Sequence, residues 1–327
     1  MKKILVTGGA GYIGSITSKV LSDAGYEPVI FDNLVNGYGD AVTEFELVKG
    51  DLRDYESVKN TMSYVKPDAV VHFAALKSPG DSMKDPTHFY LNNVGGSANL
   101  FKAMVDEGVR KIVFSSTCAV YGTPQRLPVT ELAPFHPESV YGHSKLQVEE
   151  MLDWLAKLNQ IDSIRLRYFN VAGALPDGSK GEDAKQLINI IPILMKTALG
   201  QREFTLYGND YDTPDGTNIR DYIHVVDLAN AHVAALKKLE DYVGTEYYNV
   251  GVGNGYSNYE VINEVKRITG KDLDIHIGPK RDGDPTAIYA DNTKAKVGLN
   301  WTPQYGLSDI IDHAWKWHST HPHGYTN

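Results

Sequence analysis

Six short apolar runs punctuate the first 170 residues: ILVTG, PVIFD, FELVKGD, DAVVHFAA, KIVFSS and SIRLRYFN. They are rich in Val, Ile and Phe, and helix-length amphipathic stretches separate them. Near-continuous apolar runs alternating with a 3.6-residue period predict parallel strands joined by crossover helices, because such strands are buried on both faces. The rhythm therefore predicts an α/β fold, a doubly wound parallel sheet over residues 1–170. Beyond about residue 171 the pattern changes to long polar loops, ALPDGSKGEDAKQ and YGNDYDTPDGTNIRD, interleaved with short helices. Structureless loops of that length in a compact fold are generally functional. A smaller α/β substrate-binding lobe is expected over 171–327, with IRDYIHVVDLANAHVAALKKL, about 219–240, returning to pack on the first.

The first strand run breaks into glycines in KKILVTGGAGYIGS and continues as an amphipathic helix expected to end near Gly25. Gly8, Gly11 and Gly14 stand in a G-x-x-G-x-x-G arrangement. It serves a tight turn, close backbone approach to a pyrophosphate, and a helix N-terminus aimed at anionic oxygens. The run PVIFD then puts Asp32 at a strand end, 18 residues after Gly14. A carboxylate there accepts hydrogen bonds from ribose hydroxyls and repels a 2′-phosphate, and FDNLVNGYGD holds no Arg or Lys to welcome one. The prediction is a Rossmann domain that binds NAD rather than NADP.

Tyr141 and Lys145 stand four apart in SVYGHSKLQVEEML, just downstream of KIVFSST, which ends at Thr117. Positions i and i+4 share one helix face, so phenol and ammonium can reach one cleft. A phenol titrates near 10 and is a poor base at neutral pH; a nearby ammonium is expected to draw it toward the working range. Tyr55 and Lys59 repeat the spacing, but in a polar helix with no hydroxyl-bearing strand end before it.

Composition narrows the partners. A formal net charge of -9 over 327 residues argues against nucleic acid. Cys118, the single cysteine, excludes an intramolecular disulfide and reads as a packing residue rather than a catalytic thiol. The opening MKKILVTGG has too short an apolar stretch for a signal peptide. The run LINIIPILM falls far short of the roughly 18 residues of a membrane span. The expectation is a cytoplasmic protein with no membrane partner. His143 falls on another face of its helix, His224 reads as a core histidine, and no His, Cys or carboxylate cluster has metal-ligand spacing.

The motifs TGGAGYIGS, DNL, GDLRD, HFAALK, NNVGG, SSTCAVYG, YGHSK, LRYFNVAGA, GNDYDTPDGT, IRDYIHVVDLA, KRDGD and HPHGY together resemble the extended short-chain dehydrogenase/reductase family, and within it the UDP-glucose 4-epimerases. The resemblance covers essentially the whole chain. It implies that NAD stays bound and is recycled. Tyr141 removes the proton from the sugar hydroxyl on carbon 4, Thr117 hydrogen-bonds that oxygen, and Lys145 binds the nicotinamide ribose. The 4-keto sugar then turns about its diphosphate and receives the hydride on its other face. The family's further NAD positions match Tyr12, Ile13, Asp32, Asn33, Asn36, Asp51, Leu52, Phe73, Ala74, Ala75, Lys77, Asn92 and Phe169. Its UDP-sugar positions match Asn170, Asn189, Arg220 and Arg281. Thr117 replaces the commoner Ser but keeps the hydroxyl, and the segment after Asn36 is shorter than in many relatives. A homodimer built on helices of the cofactor lobe is also implied.

Guanidinium forks suit phosphate oxygens, although Arg220 and Arg281 could equally form surface ion pairs with Asp221 or Asp282. Related nucleotide-sugar dehydratases and decarboxylases need an Asp-Glu or Glu just after the Thr, where this chain has Cys118 and Ala119. Neither side chain shuttles protons at carbon 6, so epimerisation is the reaction left. The other readings are an epimerase of the UDP-N-acetylhexosamine pair or a UDP-pentose, and a non-catalytic NAD-sensing regulator on the same fold. Ile288 matches the family position beside carbon 2 of the sugar, where a bulky Tyr excludes N-acetyl groups.

Overall fold

The computed structural model describes residues 2–183, 185, 187–281 and 284–325. The six apolar runs form strands β1 (Lys3–Thr7), β2 (Glu27–Asp32), β3 (Glu46–Lys49), β4 (Ala69–His72), β5 (Lys111–Thr117) and β6 (Asp162–Tyr168). Short strands β7 (Asn170–Ala172), β8 (Phe204–Tyr207), β9 (Ile219–Arg220) and β10 (Tyr222–His224) precede β11 (Thr245–Val250). Last come β12 (Tyr256–Ser257), β13 (Ile275–Gly278) and β14 (Ala287–Ile288). The main sheet has seven strands in the order β11-β6-β5-β4-β1-β2-β3, all parallel. The order reverses between β1 and β4, and in open sheets of this kind ligands bind beyond the carboxyl ends at that point.

Helices α1 (Tyr12–Asp23), α2 (Tyr55–Val65), α3 (Pro79–Lys84), α4 (Pro86–Phe89), α5 (Gly96–Asp106) and α6 (Val140–Lys157) accompany the first six strands. Side chains alternate across a strand, so neighbours serve opposite cores. Ile4 and Val6 face Leu21 of α1, while Leu5 faces Val58 and Met62 of α2, Leu100 of α5 and Val148 of α6. Helix α1 stops as expected near Gly25, which takes a left-handed φ of +89°.

Helices α7 (Ile190–Ala198), α8 (Val225–Lys238), α9 (Asn258–Thr269), α10 (Thr293–Gly298) and α11 (Leu307–Thr320) complete the chain. Leu228, Ala231 and Ala235 of α8 join the core that contains α1. The return to the sheet runs beyond residue 240, because β11 pairs with β6 from Thr245 opposite Ser163 to Val250 opposite Tyr168. Helices α7, α9 and α11 enclose a separate core with Phe204, Leu206 and Tyr222. A fourth cluster, including Val120, Tyr121, Leu146, Phe169 and Ile288, joins the two parts beneath the cleft.

Candidate active site

The glycine turn sits where β1 meets α1. Gly8 has φ +70°, and a Cβ there would lie 2.6 Å from the Ala74 amide nitrogen; one on Gly14 would lie 2.3 Å from the Gly8 carbonyl oxygen. Side chains at either place would fill the turn, leaving no room for a backbone cradle. Gly11 caps α1 without a side-chain bond, so that helix end presents its N–H groups openly. Ile13 packs on the core and the Tyr12 hydroxyl donates to the Gly173 carbonyl at 2.7 Å.

Asp32, at the end of β2, is nearly buried and accepts from the Ala10 N–H at 3.0 Å and the Leu34 N–H at 2.8 Å. Burial raises its pKa, and these backbone donors oppose the rise. Beside it the Asn33 amide donates to Asp51 at 3.0 Å. Arg53 forks onto the same carboxylate at 2.9 and 2.7 Å and holds Asp51 well below the usual range. Leu52 is buried, whereas Asn36 lies exposed on the loop after β2. Phe73, Ala74 and Ala75 follow β4, with the Phe73 and Ala74 N–H groups donating to the Thr7 carbonyl at 2.9 and 3.1 Å. Asn92 lies in a π-helical turn, Tyr90–Gly95, a form common at functional sites. Its amide donates to Asn93, which holds the Leu76 N–H and carbonyl at 2.8 and 3.0 Å and so fixes the segment leading to Lys77.

Thr117 ends β5, and its hydroxyl accepts from the Ala119 N–H at 3.1 Å. The Thr117 hydroxyl stands beside the Tyr141 phenol and favours its charged form. Ser139 caps α6 through the Gly142 N–H at 3.1 Å, and the Tyr141 N–H donates to the Ser82 hydroxyl at 3.0 Å, so the first turn is held from both sides. Lys145 donates to the Ser115 carbonyl at 2.8 Å and lies over the Phe114 ring. Burial pushes the Lys145 ammonium down to about 7, with Glu149 opposing. The Tyr141 phenol is pushed up to about 12 by burial, with the Thr117 hydroxyl opposing. This corrects the expectation that Lys145 draws the phenol toward neutrality: desolvation dominates both groups, and the ammonium is spent on a carbonyl.

The positions that the resemblance matches to the UDP-sugar lie on separate elements. Asn170 begins β7, its N–H donating to the Asp221 carbonyl at 3.0 Å, and stands in register with Tyr222 of β10. Asn189 immediately precedes α7, and Arg220 on β9 stands in register with Ile288 on β14. Arg220 pairs with Asp284 rather than Asp221, whose carboxylate accepts from the Val252, Gly253 and Ala290 N–H groups at 2.9 to 3.1 Å. Arg281 stacks its guanidinium 3.9 Å from the centre of the Tyr207 ring; Asp282 lies outside the described residues. Ile288 is 6% exposed and packs in the same cluster as Phe169.

The remaining candidates separate cleanly. Burial pushes the Cys118 thiol up to about 12, so it keeps its proton. His143 is exposed and bonded to the Tyr90 hydroxyl at 2.9 Å. His224 is fully buried, accepts from the Val226 N–H at 3.0 Å and meets His313 at 2.9 Å. Tyr55 bonds Asp106 on the outer helices. Sequence reasoning gave no role to Glu182, beside Asp183, or to Asp284, the last residue of KRDGD, because their partners Lys77, Asn189 and Arg220 are distant in sequence. Only the glutamate's place between matched motifs could have drawn attention to it.

A doubly wound parallel sheet with a close-packed glycine turn and a buried carboxylate after its second strand defines a dinucleotide-binding protein. Residues 4–251 match the model of the NAD dependent epimerase/dehydratase family, and the chain belongs to that family. It is 45% identical over 325 residues to the UDP-glucose 4-epimerase of Lacticaseibacillus casei, covering 98% of each chain. The structure is similar to that of the Brucella ovis UDP-glucose 4-epimerase in complex with NAD, with TM-score 0.94, 42% identity and coverage of 96% and 98%. It is also similar to the Bifidobacterium longum UDP-glucose 4-epimerase in complex with NAD+ and UDP, with TM-score 0.95, 39% identity and coverage of 99% and 100%.

Proposed function

We propose that this chain is a UDP-glucose 4-epimerase that interconverts UDP-galactose and UDP-glucose. The observation that carries the reading is Thr117 beside the Tyr141 phenol at the carboxyl edge of the sheet, followed by Cys118 and Ala119 rather than by a second acid. Full-length likeness to epimerases supports it.

The turn residues fit a bound dinucleotide: a Cβ on Gly8 or Gly14 would fill the cradle, and Asp32 offers a buried carboxylate for ribose hydroxyls. Lys77 and the segments around Asp51, Phe73 and Asn92 complete the binding surface. NAD, when bound, supplies a hydride acceptor that later returns the hydride, together with the positive charge of its pyridinium ring. Tyr141 takes the proton from the hydroxyl on carbon 4 and gives it back after the sugar has turned. Thr117 orients that oxygen, and Lys145 holds the nicotinamide ribose. Arg220 and Arg281 hold the diphosphate end of the substrate with Asn170 and Asn189, so the oxidised sugar turns without leaving. A phenol that desolvation raises to about 12 responds to positive charge brought beside it, since Coulomb energy grows as the local dielectric falls.

Purified protein given UDP-galactose without added NAD is expected to form UDP-glucose. UDP-sugar binding without turnover would favour the NAD-sensing regulator. The buried Ile288, smaller than Tyr, supports a second activity on the UDP-N-acetylhexosamine pair. We also read the protein as a cytoplasmic homodimer. Leu91, 62% exposed, and Trp154, 63% exposed, offer apolar surface on the cofactor lobe for a second copy. The lone cysteine fits a reducing compartment.

A further inference from the structure

Glu182 follows a hairpin closed by the bridge between Ala174 and Gly181. That hairpin lies against α11, where a Cβ on Gly181 would come 2.3 Å from the Trp317 ring. The packing carries the Glu182 side chain into the interior, where it is only 5% exposed. One oxygen, Oε1, accepts from the Lys77 ammonium at 3.3 Å and from the Asn189 amide at 2.8 Å. The other, Oε2, is buried with no hydrogen-bond partner. Its charge also reaches Tyr12, whose phenol is raised chiefly by burial and secondly by Glu182.

Two features of this arrangement oppose stability. A buried carboxylate oxygen without a donor loses hydration and gains nothing in return. Asn189 occupies the N-cap of α7, where an Asn side chain ordinarily accepts from the helix N–H groups, yet it makes no capping bond and donates to Glu182 instead. Neither feature serves the fold: Oε2 is left without a donor, and α7 goes without the cap that a free Asn189 could make. What the carboxylate does provide is a fixed link between two residues from opposite sides of the cleft. Lys77 follows β4 of the cofactor lobe, and Asn189 opens the first helix of the substrate lobe.

We propose that Glu182 is a positioning residue that sets the Lys77 ammonium and the Asn189 amide on one oxygen, so that the two nucleotide-binding halves of the cleft are held in register before substrate arrives. The inference rests on the functional reading above, in which Lys77 serves NAD and Asn189 serves the UDP-sugar. Register supplied in advance lowers the cost of ordering both groups on binding. It acts on affinity and leaves the proton transfer at Tyr141 alone.

The test uses the NAD-loaded protein as purified, with Glu182→Gln and Glu182→Asp beside the wild type. UDP binding is measured by calorimetry, NAD release by ultrafiltration, and unfolding by a thermal melt. In both variants the UDP Kd and the KM for UDP-galactose are expected to rise about tenfold, as loss of a charge-assisted bond implies, with kcat within about threefold of wild type. NAD should escape faster, and the Tm of at least one variant should stay within a few degrees of the wild-type value. Variants that bind UDP as tightly as the wild type overturn the proposal. So does weaker binding accompanied by a lowered Tm in both variants, or a failure of both to fold, since either assigns Glu182 to the fold. A wild-type protein that does not bind UDP overturns the functional reading itself.

Discussion

The Lys145 ammonium donates to the carbonyl oxygen of Ser115 at 2.8 Å, across the gap between α6 and β5. Burial lowers its pKa to about 7, whereas an unfolded lysine titrates near 10.4. Between those values the unfolded chain holds a proton that the folded chain has released, so this group's contribution to stability rises with pH. Below about 7 both states are charged and the burial penalty is felt in full. The stability advantage of Lys145→Met over wild type should therefore shrink by on the order of 1 kcal/mol per pH unit from about pH 7 to 9 in urea unfolding. A difference that stays constant across that range would contradict the assignment.

Tyr141→Phe removes the phenol proposed to take the proton but keeps the ring. Turnover of UDP-galactose should fall by about 100- to 10,000-fold while the bound NAD content stays near wild type. Thr117→Ser should keep most activity, because the bonding hydroxyl remains. Near-normal turnover in Tyr141→Phe would remove it from the role of base.

Arg167 and Glu149 form a bidentate buried pair, with Nε to Oε1 at 2.9 Å and Nη2 to Oε2 at 2.5 Å, and Ser116 donates to the same carboxylate. Glu149 lies one turn after Lys145, and Ser116 adjoins Thr117, so the pair fastens the helix of the site to its strand. Arg167→Met leaves the carboxylate only Ser116 and the longer Arg165 contact at 3.6 Å, and should cost about 3 kcal/mol in denaturant unfolding. Adding Glu149→Met should recover much of that loss, and no recovery would show that the charges matter less than the shapes.

Ile288 lies beside Phe169 at the lower edge of the cleft. Ile288→Tyr should reduce kcat/KM for UDP-N-acetylgalactosamine relative to UDP-galactose by about tenfold or more, in keeping with the discrimination that pocket volume can supply. An unchanged ratio would show that another residue sets the breadth of substrates.

Leu91, exposed in the π-helical turn, tests the assembly. Leu91→Asp should shift the mass measured by light scattering from dimer toward monomer at micromolar protein. A wild type that is monomeric throughout would remove the homodimer reading.

Much of the architecture was legible because buried parallel strands write themselves as unbroken apolar runs, and the turn glycines sit at a fixed distance from Asp32. The seventh strand was not, because TEYYNV carries Glu246 and Asn249 in the middle of its pattern. The fold satisfies them locally: Glu246 meets Lys238 and Lys294, while Asn249 accepts from the Tyr121 hydroxyl and donates to the Val129 carbonyl. The motif at Thr117, Tyr141 and Lys145 was readable from spacing. Its electrostatics were not, since burial by Phe114 and a bond to the Ser115 carbonyl belong to another element of the chain.

The late return of β11 has a consequence for synthesis. Strand β6 finds its outer neighbour only when Thr245–Val250 arrives, and α1 finds its cover only with Val225–Lys238. A nascent chain halted at residue 170 would thus expose both an open sheet edge and an oily helix flank, the surfaces by which partly made proteins stick together. Interleaving makes the cofactor half dependent on the half that follows it, so neither is free to be exchanged by simple recombination at the apparent boundary.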